Sequence, residues 1–152
     1  MSRRKLPDTR KSITHKVEIT DPSSGQFDLY ITLGLYPRGR PGEVFLTMGK
    51  VGSTINGLLD VVGVLTSLAL QHGASAEHLG QKLANTSFSP CGTTSNPDIP
   101  ECSSIADYVF RWLASNPQKK RKPVVEWAAW PNPMNPPQVQ PPQGEGSPWR
   151  EY

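Results

Sequence analysis

The 152-residue sequence has two cysteines, three histidines and three methionines. So few thiols exclude a disulfide scaffold, and Cys91 and Cys102 form no C-x-x-C pair, so no zinc ribbon or finger is expected. Charged residues make up only 19% of the chain and the net charge is +3. That is too little for a coiled coil or a strongly basic nucleic-acid binder. Long apolar runs are also missing. The longest stretch, Ile55 to Leu70, is interrupted by Asn56, Asp60, Thr66 and Ser67, which leaves it short of the roughly 18 uninterrupted apolar residues of a membrane span. The basic start Arg3-Arg4-Lys5 leads into Leu6-Pro7-Asp8-Thr9 with no apolar h-region, so the expected location is the cytoplasm, with both cysteines reduced.

Proline, by contrast, is abundant, and its placement divides the chain. From Pro117 onward 9 of 36 residues are proline, a composition that neither continues a helix nor joins a sheet interior. Trp127, Trp130 and Trp149 lie in this tail, and tryptophans carry apolar area that finds a partner surface, so Trp127 and Trp130 are candidates for binding a protein partner. Basic residues cluster at Arg3 to Lys16 and at Lys119-Lys120-Arg121-Lys122; phosphate contacts and a solvated arm share that composition. The organisation read from these shifts is a basic arm over 1–12, a folded domain over 13–114 and a Pro/Trp-rich tail over 115–152.

Within the domain, alternation predicts strands at Ile13–Ile19, Asp28–Tyr36 and Glu43–Met48, joined by connections rich in turn formers. His15 is read as facing the polar side of the first strand. A helix is predicted from Ser53 to His72, with Ile55, Leu58, Leu59, Val62, Leu65 and Ala69 inward, and with Asn56, Asp60, Gly63, Ser67 and Gln71 on a stripe spared from burial. Gly73 supplies its left-handed stop. A short helix over Ser75–Ala84, a loop over Asn85–Cys102 and a last helix from Ser103 or Ser104 follow, with Ile105, Tyr108, Val109, Trp112 and Leu113 inward. The predicted fold class is α+β, a three-stranded antiparallel meander followed by three helices.

Met48-Gly49-Lys50-Val51-Gly52-Ser53-Thr54 stands between a predicted strand and a helix start, where backbone N–H groups and the helix dipole favour an anion. The spacing is not a nucleotide P-loop, because Val44 and Val51 stand where glycine and Ser/Thr would be required. A tight turn that needs its glycines explains the same residues. No catalytic residue, metal site or cofactor is expected: His15, His72 and His78 have no ligand spacing, and Asp60 has no evident partner for acid–base work.

Several blocks carry a family resemblance. Leu6-Pro7-Asp8-Thr9-Arg10-Lys11-Ser12, Gly39-Arg40-Pro41-Gly42-Glu43-Val44, Met48 to Thr54 with Gly57-Leu58-Leu59-Asp60, Asn96-Pro97-Asp98-Ile99-Pro100 and Ser104 to Leu113 follow in order. Together they resemble the C-terminal, TSCPD-type region of adenosylcobalamin-dependent ribonucleotide reductases. The resemblance implies a setting in nucleotide metabolism without the reaction, since the family's radical cysteine and cobalamin site belong to a large barrel. It implies a non-catalytic, homo-oligomeric module that binds a nucleotide or other phosphate-bearing molecule, and a detached accessory domain of this kind suggests a phage source and a bacterial host cytoplasm. The ligand residues would be Arg38, Arg40, Gly49, Lys50, Gly52, Ser53, Thr54 and Arg111. The alternative is an interaction or regulatory module whose tail docks a reductase or host protein.

Overall fold

The computed structural model describes residues 2–49 and 53–115. The predicted tail with Trp127 and Trp130, and the turn residues Lys50, Val51 and Gly52, lie outside them. The elements are β1 (Lys11–Asp21), β2 (Gly25–Leu35), β3 (Pro41–Met48), α1 (Ser53–Gln71), α2 (Ala76–Leu83), β4 (Gly92–Thr94), β5 (Glu101–Cys102) and α3 (Ile105–Ala114). The expected meander is present as β3-β2-β1, paired antiparallel throughout. The sheet has five strands, however, because β4 pairs with β1 through Ile19 opposite Thr94 and β5 pairs with β4. These extra strands fall in the segment predicted as a loop. At three and two residues they are too short to show alternation, and tertiary contacts create them.

Register puts Ile13, Val17 and Ile19 of β1, Leu29, Ile31 and Leu33 of β2, and Val44, Leu46 and Met48 of β3 on one face, all buried. α3 covers this face with Tyr108, Val109, Trp112 and Leu113, as the periodicity predicts. His15 corrects the sequence reading. Residues two apart on a strand share a face, so His15 lies with Ile13 and Val17, stacked 4.9 Å from the Trp112 ring.

α1 is oriented by the free edge of β3. Met48 N–H donates to Asn56 Oδ1 at 3.1 Å, and Val44 N–H donates to Ser67 Oγ at 2.9 Å. Gln71 Nε2 donates to Gly42 C=O at 3.0 Å, and a Cβ on Gly63 would stand 2.9 Å from Val44 O. The stripe expected to escape burial is thus the seam that docks on the sheet. Unpaired edge groups are the reason: a strand end row of N–H and C=O needs partners, and polar residues four or so apart on a helix supply them. The inward set changes accordingly. Leu59 and Leu70 are buried, but Leu58 and Leu65 are 61% and 60% exposed. α1 ends as predicted, with Gly73 at φ +105 and its N–H bonded to Leu70 C=O.

The N-terminal arm folds back on the same end. Arg3 Nε donates to Gln71 Oε1 at 2.7 Å, Arg4 N–H to Gln71 C=O at 3.0 Å, and Arg10 pairs with Glu43. Replacing Ser67 with alanine strands the Val44 N–H at a part-buried site. The expected loss is about 1–2 kcal/mol of unfolding free energy in urea denaturation. A Gly63→Val change, which places a branched side chain against Val44 O, should cost more than Ser67→Ala.

Candidate functional site

The predicted anion ligands do not converge. Gly49 follows β3 and its N–H is already bonded to Asp28 C=O at 2.9 Å, Ser53 and Thr54 begin α1, and Lys50 and Gly52 lie outside the described residues. Arg40 sits at the far end of that helix. Its Nη2 donates to Leu70 C=O at 3.0 Å and its guanidinium lies over the Tyr36 ring, so it neutralises the negative end of the α1 dipole. With about 1.5 Å of rise per residue, Arg40 and the start of α1 stand roughly 25 Å apart along the helix. Arg111 belongs to a third place. It bonds Glu101 C=O and pairs with the buried Asp107 at 3.1 Å. Arg38 is exposed in the β2–β3 connection.

Two buried carboxylates that the sequence reading passed over organise the segment between α2 and α3. Asp21 accepts from the Ser23 hydroxyl and amide, the Cys91 amide and the Ser89 hydroxyl at 2.7–3.0 Å, and these hydrogen bonds hold its pKa far below the usual carboxylate range. Burial alone would raise the pKa of Asp107, but the Asn85 and Ser103 amides and the Arg111 guanidinium outweigh it and lower the value. Ser104 caps α3 and donates to Thr86 C=O at 2.7 Å. Cys91 and Cys102 are both free and line an open cleft with Arg111; burial pushes the Cys102 thiol up.

A third polar cluster lies in the core. Asn96 Nδ2 donates to Tyr108 Oη at 2.8 Å, which leaves the phenol proton for His15 Nε2 at 2.7 Å. Burial lowers the His15 pKa and raises that of Tyr108 to about 12. Among the described residues no group of three His, Cys, Asp or Glu side chains is placed to hold a metal ion, and the one histidine enclosed by the fold spends its ring nitrogen on Tyr108.

The pinned 85–91 segment forms one wall of an apolar groove between α1 and α3. Its volume is about 360 Å³, and Ile55, Leu59, Val62, Phe88, Pro90 and Val109 are among its lining residues. Among the described residues no charged side chain lines it. Beside it, Leu58, Val61, Val64 and Leu65 form an apolar strip along the outer side of α1, each more than half exposed. Covering the remainder of one such side chain is worth on the order of 1–2 kcal/mol, so a bare strip of four is costly. By length and composition alone, Thr54–Gln71 also satisfies a membrane span, with mean hydropathy 1.4, although its polar stripe is tied to β3. This strip, with the groove, is the candidate functional surface. Sequence periodicity detected the apolar residues, but it assigned Leu58 and Leu65 to the core.

His15 generates a pH dependence. Its folded pKa is depressed, so the folded state binds its proton less readily than the unfolded chain, whose value is about 6.5. The contribution to stability is complete above that value and is lost as pH falls through it towards the lowered folded value. The melting temperature should therefore drop more between pH 7.5 and 5 in the wild type than in His15→Gln. Asp21→Asn should lower the melting temperature at pH 7, where the carboxylate accepts four hydrogen bonds. That deficit should shrink as the pH is taken below about 4, where the carboxylate of the unfolded chain takes up a proton before the folded one does and the wild type loses the advantage of its hydrogen bonds.

Comparison with known proteins places the chain in a family. The family model of the TSCPD domain matches residues 3–116. The vitamin B12-dependent ribonucleotide reductase of Rhodopirellula baltica is 48% identical over 111 residues, covering 73% of this chain and 10% of the relative. That of Streptantibioticus cattleyicolor is 40% identical over 112 residues, 74% of this chain and 18% of the relative. That of Bradyrhizobium diazoefficiens is 35% identical over 113 residues, 74% of this chain and 9% of the relative. The chain thus spans between about a tenth and a fifth of the length of these first two reductases. No solved structure matches. On the family match and these identities, the chain belongs to the TSCPD domain family and is related to one region of the vitamin B12-dependent ribonucleotide reductases.

Proposed function

We propose that this chain is a non-catalytic accessory module of the ribonucleotide reductase family that acts by assembly, with the outer strip of α1 as its working surface and itself as at least one partner. The observation that carries this reading is the uncharged apolar strip of Leu58, Val61, Val64 and Leu65 beside a groove without charged lining. A contiguous apolar patch of this kind ranks with the largest that a monomer exposes, and such patches are commonly interaction sites. The non-catalytic part rests on the polar clusters. The carboxylates of Asp21 and Asp107 and the His15–Tyr108 pair are each engaged in hydrogen bonds that hold the fold, which leaves them no free nucleophile–base geometry.

Nucleotide binding is the second reading, and one observation favours it. α1 has no acidic residue in its first turn, so the positive end of a 19-residue helix is not neutralised by its own sequence. The dispersal of Arg38, Arg40 and Arg111 weighs against a composite site that uses all of them.

Light scattering on the purified full chain over a range of concentrations tests the assembly reading: a mass of at least twice the monomer is expected, and a monomer throughout would end it. A thermal-shift panel of nucleoside triphosphates, dinucleotides and cyclic nucleotides tests the second reading. A concentration-dependent rise in melting temperature is the expected sign of a bound nucleotide, and a flat panel removes that reading.

A further inference from the structure

We infer that the outer strip of α1 is the seam of an antiparallel, two-fold helix pair with α1 of a second copy, in which Leu58 meets the copy's Leu68 and Val61 its Leu65. This rests on the assembly reading above and names the surface and geometry that reading leaves open.

The spacing carries the inference. Leu58, Val61, Leu65 and Leu68 follow one another at intervals of three, four and three residues, the repeat that brings side chains to one seam between packed helices. Three of the four are more than half exposed, although apolar residues at this spacing on a soluble helix ordinarily face a partner. A helical strip predicts a helical occupant, because ridges of this spacing fill the grooves of another helix at an axis separation of roughly 8–10 Å.

The pattern also says which helix. An interval sequence of three, four, three reads the same in both directions, so an antiparallel copy sets each seam residue against another seam residue without a shift of register. A two-fold interface puts the same patch on both sides and penalises a patch that carries charge of one sign. The seam has none. Asp60 is the one ionisable side chain within α1, and it lies on the side of the helix that runs along β3, in a cleft that Arg3 and Gln71 line together with Val64 and Leu68, so it borders the seam without entering it. Val64 flanks the seam next to the axis, where it would lie close to its own counterpart.

Magnitude decides how much more must join in. Full burial of one such side chain removes roughly 60–120 Å² of apolar surface. The exposed parts of Leu58, Val61, Val64, Leu65 and Phe88 then come to about 300 Å² per copy, against roughly 600–1,000 Å² per copy in a stable interface. The helix pair is therefore the apolar centre of the contact, and the rim of the adjoining groove at Phe88 has to be part of it.

The test uses the full chain. Analytical ultracentrifugation of the wild type should give a dimer. Leu65→Glu should weaken it by at least about a hundredfold, because the charge would be buried against Val61 of the copy, while the melting temperature of the separated monomer stays near that of the parent, since Leu65 is exposed within one copy. Phe88→Ala should weaken it less. Independently, Val64→Cys in a Cys91→Ser background should form a covalent dimer with a short bismaleimide, and Thr47→Cys on the opposite face of the sheet should not. A dimer that survives Leu65→Glu and gives no Val64→Cys cross-link would refute this seam and leave the assembly reading standing. A chain that is monomeric at every concentration overturns both. Flotation of a monomer with phosphatidylcholine–phosphatidylglycerol vesicles would assign the strip to a lipid surface and overturn them as well.

Discussion

The free edge of β3 is the constraint from which the rest of the arrangement follows. A sheet edge exposes N–H and C=O groups that either find partners or recruit another strand. Here the partners come from the side chains of Asn56, Ser67 and Gln71, and the missing side chain of Gly63 lets the helix come within reach. A helix fixed by one stripe has no freedom left in its rotation. Once the polar stripe faces β3, Leu59 and Leu70 turn onto the sheet and Leu58, Val61 and Leu65 turn away from it. Each side-chain bond contributes about 1 kcal/mol net, and each bare leucine forgoes about as much or more. Hydrogen bonding to the edge therefore sets the orientation at a cost that assembly can recover.

A second pair of anchors shapes the neighbouring wall. Asp21, at the end of β1, and Asp107, in the first turn of α3, each collect backbone amides from the chain between α2 and α3. That segment has little regular structure of its own, and β4 and β5 together span five residues. Its path is set by two carboxylates buried with their donors, which is how Phe88 and Pro90 come to stand over the groove. The acids that might have been taken for catalytic groups are the joints of the fold.

Much of this was legible in the sequence, for identifiable reasons. β1 to β3 alternate over eight or more residues and α1 and α3 repeat over several turns, so period and caps locate them: Ser104 and Gly73 mark helix ends as expected. β4 and β5 could not be found, because two or three residues hold no period and their pairing is decided by β1. The inversion of α1 was hidden for another reason. Periodicity separates stripes but does not say which one faces the protein, and the usual assumption that the apolar stripe faces inward fails where an edge strand demands polar partners. His15 was misplaced by a plain error of parity, since Ile13, His15 and Val17 lie on one face. Its pairing with Tyr108 across 93 residues had no local signal.

The position of Arg40 decides how the two ends of α1 would meet in the proposed pair. Arg40 bonds the Leu70 carbonyl at the C-terminal end of α1, whereas the first turn of that helix carries no acidic residue, so its own sequence leaves the N-terminal pole uncompensated. In an antiparallel pair the head of each α1 lies beside the tail of its partner. In the proposed pair Arg40 of one copy would then lie towards the first turn of the other copy's α1, so opposite helix poles would stand side by side.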